Sequence, residues 1–228
     1  MERLRCLLVA SAALTLSVAG TASAAPAVAL NAPCYAHLPG EGSEPIVATI
    51  TGGTPGADFT LTAKGKGGQT AGSTSGTFDE AGNAVAQIDG VQPPSGTTQP
   101  SKGQALQISI QDFGAGGAET PAASTLVTNI SMQVSAKPRN PQRPRKVRVS
   151  AGRAFAGKTL YGFVTKPGSG RVLRRVKLGR ANVCGYAATK AVVAPRGGGA
   201  GSYVLYVNAG PRLNKRRAIS FSFRIFRF

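Results

Sequence analysis

The side chains best suited to chemistry in this sequence are arginines and lysines in two clusters. The first follows one predicted strand and its turn, and the second occupies the turn before the last predicted strand. Their members are Arg171, Arg174, Arg175, Lys177 and Arg180 in the first, and Arg212, Lys215, Arg216 and Arg217 in the second. A guanidinium presents a bidentate fork that matches phosphate and carboxylate. The clusters therefore predict polyanion binding through many shallow contacts.

Both clusters belong to a half of the chain that lacks acidic residues. The 228-residue chain has a formal net charge of +18, and all nine acidic residues precede residue 120. Residues 25–136 carry eight acids and three lysines, whereas residues 137–228 carry 22 lysines and arginines and no acid. Average composition supplies roughly one acid in eight residues. We therefore interpret the charge asymmetry as selected rather than as compositional bias.

Catalytic chemistry finds little support in the sequence. Hydrolytic sites need a nucleophile with a base, two convergent carboxylates or a metal, and His37 is the one histidine. Residues 72–76 (GSTSG) resemble a nucleophile elbow, but their centre is Thr74 and no helix is predicted to follow, so we interpret them as a turn. Asp79 and Glu80 are neighbours, whose side chains point to opposite faces of a strand. We expect no enzyme activity, no catalytic residue and no cofactor.

The first 24 residues have the three parts of a secretory signal peptide. A short basic start precedes the apolar stretch 6–19, and small residues allow cleavage after Ala24. The apolar stretch is shorter than the ~20 residues of a membrane span, although an uncleaved anchor is the alternative. Neither Cys6 nor Cys34 stands where a lipidated cysteine is expected. The pattern predicts a secreted protein, extracellular or associated with the cell wall, with no membrane span in the mature chain.

Cys34 and Cys184 are the cysteines that remain after cleavage. An exported chain meets an oxidising compartment, where two free thiols would be a liability. Tandem domains, however, usually hold such positions far apart, and a disulfide requires Cα atoms within about 7 Å. We predict an interdomain disulfide that closes a loop of about 150 residues. We predict no metal site, because these cysteines and His37 are too few for a closed tetrahedral zinc site.

The elements expected to position these residues are short strands broken by glycine and proline. The last one is the clearest, because apolar and polar residues alternate along residues 219–225. The predicted strands cover residues 46–51, 58–63, 74–78, 84–88, 105–110 and 125–135, and then residues 146–150, 159–164, 172–178, 187–193, 202–207 and 219–225. About six short strands in each half predict an all-β chain of two tandem immunoglobulin-like β-sandwiches.

A proline-rich basic segment marks the expected domain boundary. Residues 137–145 (KPRNPQRPR) read as an extended linker, because proline cannot join a sheet ladder and like charges repel. It separates a mildly acidic domain, residues 25–136, from a strongly basic one, residues 146–228. A weak repeat supports a duplication, since residues 47–64 and 149–166 both run strand, glycine-rich bend and strand.

The layout resembles that of a group of secreted, two-domain, immunoglobulin-like proteins of actinobacteria, which are largely uncharacterised. The likeness covers most of residues 31–228 and departs from the group in the long polar loop at 92–104. It rests on Cys34-Tyr35, TPGA at 54–57, PRKV at 144–147, LYG at 160–162, LGR at 178–180 and Cys184-Gly185. The resemblance implies two β-sandwiches and export, and it implies no activity.

Three hypotheses for function follow. The favoured one is a non-catalytic exported cell-envelope or extracellular module, whose basic domain docks electrostatically on anionic cell-wall or surface polymers. The second is a structural exported scaffold with no specific polyanion partner. The third and least favoured is nucleic-acid binding, because neither a recognition helix nor a zinc finger is present. The sequence names no ligand and no oligomeric state.

Overall fold

The computed structural model describes residues 25–38, 42–93, 98–196 and 199–226. These residues form sixteen β-strands and two single 3₁₀ turns, at Arg153–Phe155 and Lys215–Arg217. The all-β prediction is confirmed. The predicted signal peptide, residues 1–24, lies outside the described residues.

The first nine strands form two sheets with a common core. One sheet has the order β1-β4-β7 and the other β3-β2-β9-β8-β5-β6, and every pairing is antiparallel except that of β2 with β9. The strands are β1 (Ala27–Leu30), β2 (Cys34–Leu38), β3 (Gly42–Ser43), β4 (Ile46–Thr51), β5 (Asp58–Gly65), β6 (Thr70–Thr77), β7 (Ala84–Ile88), β8 (Gln104–Asp112) and β9 (Glu119–Asn129).

Alternate residues of these strands enter the space between the two sheets. Ile50 of β4, Leu61 of β5 and Ile108 of β8 are fully buried there. The rings of Phe59 and Phe78 lie 4.8 Å apart, centroid to centroid, at one end of this core. The packing is that of a β-sandwich, with polar residues on the outer faces.

The remaining seven strands repeat this architecture. One sheet has the order β10-β11-β14 and the other β13-β12-β15-β16. Val149, Leu160 and Leu205 are buried at the centre of this second core. The strands are β10 (Ser131–Val134), β11 (Arg145–Ser150), β12 (Thr159–Thr165), β13 (Arg174–Arg180), β14 (Tyr186–Ala191), β15 (Gly201–Ala209) and β16 (Ile219–Ile225).

The two halves share one topology. The sheet β1-β4-β7 corresponds to β10-β11-β14, and the row β6-β5-β8-β9 corresponds to β13-β12-β15-β16. The first half adds β2 and β3 to the edge of the larger sheet. The repeat predicted from residues 47–64 and 149–166 falls on β4–β5 and β11–β12, so the structure extends a weak sequence likeness to seven strands.

Equivalent turns show the repeat at atomic detail. The Oδ1 atom of Asp79 accepts hydrogen bonds from the backbone N–H groups two and four residues later, at 2.9 and 2.8 Å. The Oδ1 atom of Asn182 does the same in the second half, at 3.0 and 2.9 Å. Asp and Asn favour such turns because a short polar side chain reaches the following backbone.

One glycine follows in each of these turns. Gly82 has φ +74° and Gly185 has φ +73°, a left-handed conformation that favours glycine. A β-carbon at Gly82 would lie 2.2 Å from the carbonyl oxygen of Gly53, and one at Gly185 would lie 2.1 Å from that of Gly152. Each half thus needs glycine at the same close backbone crossing.

The predicted linker lies inside the second half. Residues 137–145 connect β10 to β11, which pair with each other, with Met132 opposite Val149. The predicted strand 125–135 accordingly splits at Ile130, where the chain passes from one core to the other. The linker prediction was wrong because its evidence, a proline-rich composition, does not distinguish a linker from a hairpin connection. Both lie outside the sheet ladder, so both tolerate proline.

Three strands near the start of the first half were missed by the sequence prediction. In β2, Cys34, Tyr35 and Ala36 are consecutive and all buried, so the strand shows no alternation. A strand covered on both faces loses the period of two that identifies a half-buried strand. Here the second face is covered by the other half of the molecule.

A disulfide joins the two halves, as predicted. The sulfur atoms of Cys34 and Cys184 are bonded at 2.01 Å, with the Cα atoms 5.4 Å apart. The pairing of β2 with β9 explains the reach, because it places Cys34 opposite Leu126, close to the crossing at Ile130. The start of the first half therefore lies against the second half.

Buried hydroxyl groups extend this joint. The Oγ atom of Ser150 donates to the carbonyl of Ser101 at 3.0 Å, and it accepts from the backbone N–H of Ser101 at 3.1 Å. The Oγ1 atom of Thr128 lies 3.3 Å from the same Ser150 oxygen. Asn182 also donates to the carbonyl of Lys102 at 2.7 Å. Covalent and polar contacts together hold the halves in one orientation.

Candidate anion-binding surface

The outer face of the sheet β13-β12-β15-β16 carries the predicted cations of β13. Val176 and Leu178 point into the core, so the alternating Arg175 and Lys177 project outward and are exposed. Arg175 stands opposite Phe163 of β12 in the strand register. The side-chain period of two along β13 thus places positive charges beside aromatic side chains of β12.

The aromatic row runs across the middle of this outer face. Phe163 of β12 pairs with Tyr206 of β15, and Tyr161 lies two residues before Phe163 on the same face. Phe163 is only 3% exposed, although it is not part of the core cluster. The Nζ atom of Lys215 lies 5.3 Å from the centroid of the Tyr206 ring, within cation–π range.

Two connections fold over these rings and bring the predicted clusters together. The β12–β13 and β15–β16 connections leave opposite ends of the sheet. Lys215 nevertheless donates to the carbonyl of Ser169 at 3.0 Å, and Arg175 donates to the carbonyl of Pro211 at 3.2 Å. The clusters, about 40 residues apart in sequence, therefore form one surface.

Asparagines hold the β15–β16 connection in place. The buried side chain of Asn208 donates to the carbonyls of residues 209, 210 and 212 at 3.1–3.2 Å, and its Oδ1 accepts from the N–H of Asn214 at 3.2 Å. Asn214 in turn caps the 3₁₀ turn by accepting from the N–H of Arg216 at 3.2 Å. This network presents four exposed cations, namely Arg212, Lys215, Arg216 and Arg217.

Two further predicted cations lie at the ends of this surface. Arg180, at the end of β13, donates from Nε to the carbonyl of Gly157 at 3.0 Å and is otherwise exposed. Arg171 is exposed in the β12–β13 connection, with its backbone N–H bound to the Ser169 hydroxyl at 3.1 Å. Both extend the positive surface along β13.

Arg174 is the predicted site residue that departs from this surface. It shares the inward face of β13 with Val176 and stands opposite the buried Val164. Its Nε atom is buried and has no hydrogen-bond partner in the described part of the chain. Burial, and then the nearby charge of Arg196, lower the pKa of Arg174. Neighbouring residues on a strand point to opposite faces, so Arg174 and Arg175 do not share a surface although they belong to the same cluster in the sequence.

A second group of cations lies on the sheet β10-β11-β14. Lys146 and Arg148 alternate with the buried Val147 and Val149, and Lys146 stands opposite Lys190 of β14. Arg148 donates to the Oε1 atom of Gln133 at 2.7 Å. Positive charge therefore covers both outer faces of the second half. The sequence did not indicate Lys190 as a candidate site residue, because no other charged residue occurs on its strand, β14.

Few of these charges meet a carboxylate. Across the described ranges, Arg153 is the cation of the second half that forms an ion pair, with Nε 3.3 Å from the Oε2 atom of Glu44. The guanidinium of Arg153 also lies 5.9 Å from the centroid of the Tyr35 ring. The other ion pair, between Lys64 and Glu119, lies within the first half. The positive charge of the second half is therefore largely uncompensated by carboxylates among the described residues.

His37 and residues 72–76 have structural contacts rather than catalytic ones. His37 lies within β2, with Nδ1 2.7 Å from the Ser43 hydroxyl, which donates to the carbonyl of Val91. Residues 72–76 lie within β6, not in a turn. Glycine at position 76 leaves room for the Phe59 ring, which would come within 2.9 Å of a β-carbon there.

The described residues lack both a cluster of metal ligands and a helix that could cross a membrane. No group of three or more His, Cys, Asp or Glu side chains is placed to hold a metal ion there. None of the described helices has the length and apolar character needed to cross a bilayer.

Comparisons with known proteins find likeness only at the level of fold. No protein-family model and no curated protein matches the chain. Among solved structures, macromomycin is 20% identical over 43% of this chain and 98% of its own, with a TM-score of 0.30. The BSP domain of a biofilm-associated protein is 13% identical over 86% of this chain and 29% of its own, with a TM-score of 0.28. A tetra-tandem repeat from the extending region of a large adhesion protein is 13% identical over 87% of this chain and 48% of its own, also with a TM-score of 0.28.

Proposed function

We propose that this chain is an exported, non-catalytic module of the cell envelope or extracellular space, whose second half docks on anionic polymers. The observation that carries the proposal is the meeting of two cation clusters over one sheet face, through the Lys215–Ser169 and Arg175–Pro211 hydrogen bonds. Teichoic-type polymers and acidic polysaccharides have the repeated anionic groups that such a surface would bind.

Export is part of the same proposal. The secretory pattern of residues 1–24 and the buried Cys34–Cys184 disulfide support it, because structural disulfides form and persist in oxidising compartments. The resemblance to secreted two-domain proteins of actinobacteria, with their immunoglobulin-like sandwiches, belongs to this proposal as well.

The mechanism is multivalent electrostatic attraction. Each exposed cation near an anionic surface contributes on the order of 1 kcal/mol, decaying within a Debye length of about 8 Å at physiological salt. Tethering of Arg175 and Lys215 to backbone carbonyls reduces the side-chain entropy lost on binding.

Wall retention in the native host tests the proposal. Arg175, Lys177, Arg216 and Arg217 are replaced by Gln, which leaves Lys215 and its ring contact in place. The matched control removes four charges elsewhere in the second half, at Lys146, Arg148, Lys190 and Arg139. The salt concentration that elutes the protein from the wall pellet is measured for both variants, together with thermal unfolding. We expect the first variant to elute at clearly lower salt than the control.

Two outcomes would contradict the proposal. Unchanged wall retention of the first variant would favour the alternative of an exported scaffold without a polyanion partner. A competition experiment at ~150 mM salt distinguishes polymer docking from nucleic-acid binding. It is needed because double-stranded DNA also binds cationic side chains through its phosphates. A teichoic-type polymer should displace DNA from the purified protein, whereas the reverse order would favour nucleic-acid binding.

A further inference from the structure

A cleft opens along one edge of the second sandwich. Edge strand β10 of the smaller sheet and edge strand β16 of the larger sheet border it, and its volume is about 360 Å³. Ligand pockets commonly have volumes of about 300–1,000 Å³. The space is therefore large enough for a small organic ligand or for part of a longer one.

Most of the lining is apolar. Met132 and Val134 of β10 face Phe223 and Ile225 of β16 across the cleft, and all four side chains are only half-buried. Phe226, at the rim, is 58% exposed. The smaller sheet has three strands against four in the larger one. The apolar face of β16 is therefore incompletely covered, which leaves a place for an apolar ligand segment.

Two arginines line the same cleft, and no acidic residue does. The Nη2 atom of Arg145 donates to the carbonyl of Arg139 at 2.6 Å, whereas its Nε atom is buried without a hydrogen-bond partner. The guanidinium of Arg224 lies 5.5 Å from the centroid of the Phe226 ring. A buried donor without a partner is unfavourable, so an anionic acceptor beside Arg145 would remove an existing penalty.

We propose that this cleft binds an amphipathic anion, with its acyl chain on the apolar residues and its carboxylate at Arg145. The chemical class is a long-chain carboxylate, because the cleft joins a strip of apolar side chains to guanidinium groups in a half of the chain without acids. The proposal does not depend on polymer docking, since the cleft lies at the edge of the sandwich and shares no residue with the Arg175–Lys215 surface.

Calorimetry with dodecanoate, below its micelle concentration and on the mature chain, tests the proposal. Dodecanol keeps the chain without the charge, dodecyltrimethylammonium reverses the charge, and acetate lacks the chain. We expect saturable binding of dodecanoate. Dodecanol and dodecyltrimethylammonium should bind at least about tenfold more weakly because they lose the hydrogen bond between charged groups. Acetate should also bind at least about tenfold more weakly, because it loses the apolar contacts. Equal binding of dodecanol, or no binding of dodecanoate, would overturn the proposal.

Matched variants locate the site. Arg145→Gln should weaken dodecanoate binding by about tenfold or more, whereas Arg143→Gln removes the same charge from an exposed position outside the cleft and should leave binding unchanged. Val134→Phe fills the cleft from the partly exposed edge strand and should also abolish binding. Thermal unfolding shows whether each variant is folded. Equal affinities of the two arginine variants would place the ligand elsewhere and sink the inference.

Discussion

Gly103 lies against the disulfide sulfur of Cys184. A β-carbon at Gly103 would stand 2.7 Å from the Sγ atom of Cys184 and 3.0 Å from the Cβ atom of Leu126. Gly103 begins the approach to β8 of the first half, and Cys184 belongs to a turn of the second. The backbone of one half therefore packs directly on the covalent link to the other.

Substitution of Gly103 by alanine should destabilise the joint. Its φ of +110° already disfavours a side chain, and the new methyl group would collide with two neighbours. Gly90→Ala is the control, because Gly90 has φ +67° with open space around its β-carbon position. We expect Gly103→Ala to lose about 1–3 kcal/mol more than Gly90→Ala in urea unfolding. Equal losses would mean that the steric contact is unimportant.

Ser150 should be the most sensitive hydroxyl of the joint. Ser150→Ala removes the acceptor of the Ser101 backbone N–H at the joint, whereas the Thr128 hydroxyl keeps the Ser101 carbonyl as a partner at 3.2 Å. The expected loss in the free energy of unfolding is about 1–3 kcal/mol. Ser75→Ala removes an exposed hydroxyl that contacts Thr60 at 3.1 Å, and should change stability by less than about 0.5 kcal/mol. A reversed order of these two variants would contradict the assignment.

Loss of the disulfide should lower stability strongly. Cys34 and Cys184 are 150 residues apart in sequence, and the chain-entropy model gives about 5 kcal/mol for a loop of that length. The double variant Cys34→Ala/Cys184→Ala should therefore unfold at a much lower denaturant concentration than the oxidised protein. Peptide mapping without reductant should recover the two cysteines in one cross-linked peptide pair. Two free thiols in protein purified without reductant would refute the bond.

Arg174 and Arg175 should respond oppositely to the same substitution. Arg174→Met removes a buried Nε without a partner and should raise stability by about 1 kcal/mol, with little effect on polyanion binding. Arg175→Met removes an outward charge and should weaken binding to immobilised polyanion while leaving stability nearly unchanged. Thermal unfolding and salt elution measure the two properties. Equal losses of polyanion binding would return Arg174 to the docking surface.

The Lys64–Glu119 pair predicts a pH effect within the first half. The hydrogen bond from Lys64 lowers the pKa of Glu119 below its ordinary value. Since the folded-state pKa is depressed, the pair stabilises the fold above the unfolded-state pKa, and this contribution is lost as the pH falls through the folded-state value. An NMR titration should show the pKa of Glu119 rising towards normal in Lys64→Gln, whereas Lys66→Gln should leave it unchanged. An unaltered Glu119 titration in Lys64→Gln would contradict the pairing.

Local pattern was sufficient for most strands and for the charge asymmetry. The predictions for residues 46–51, 84–88 and 219–225 coincide with β4, β7 and β16. Alternation succeeds in these segments because each strand turns one face towards the core and the other towards solvent, and a side-chain period of two is a property of neighbouring residues. The absence of acids after residue 137 is likewise readable without any contacts.

Contacts between distant residues decided the rest. The parallel pairing of β2 with β9 brings Cys34 to the second half, and no local signal marks it. The hairpin of β10 and β11 assigns residues 137–145 to the second half, although their composition is typical of a linker. Strand orientation separates Arg174 from Arg175, and folded connections unite Arg175 with the cluster around Lys215. Residue types therefore determined which charges are available, whereas strand pairing across the whole chain determined which of them share a surface.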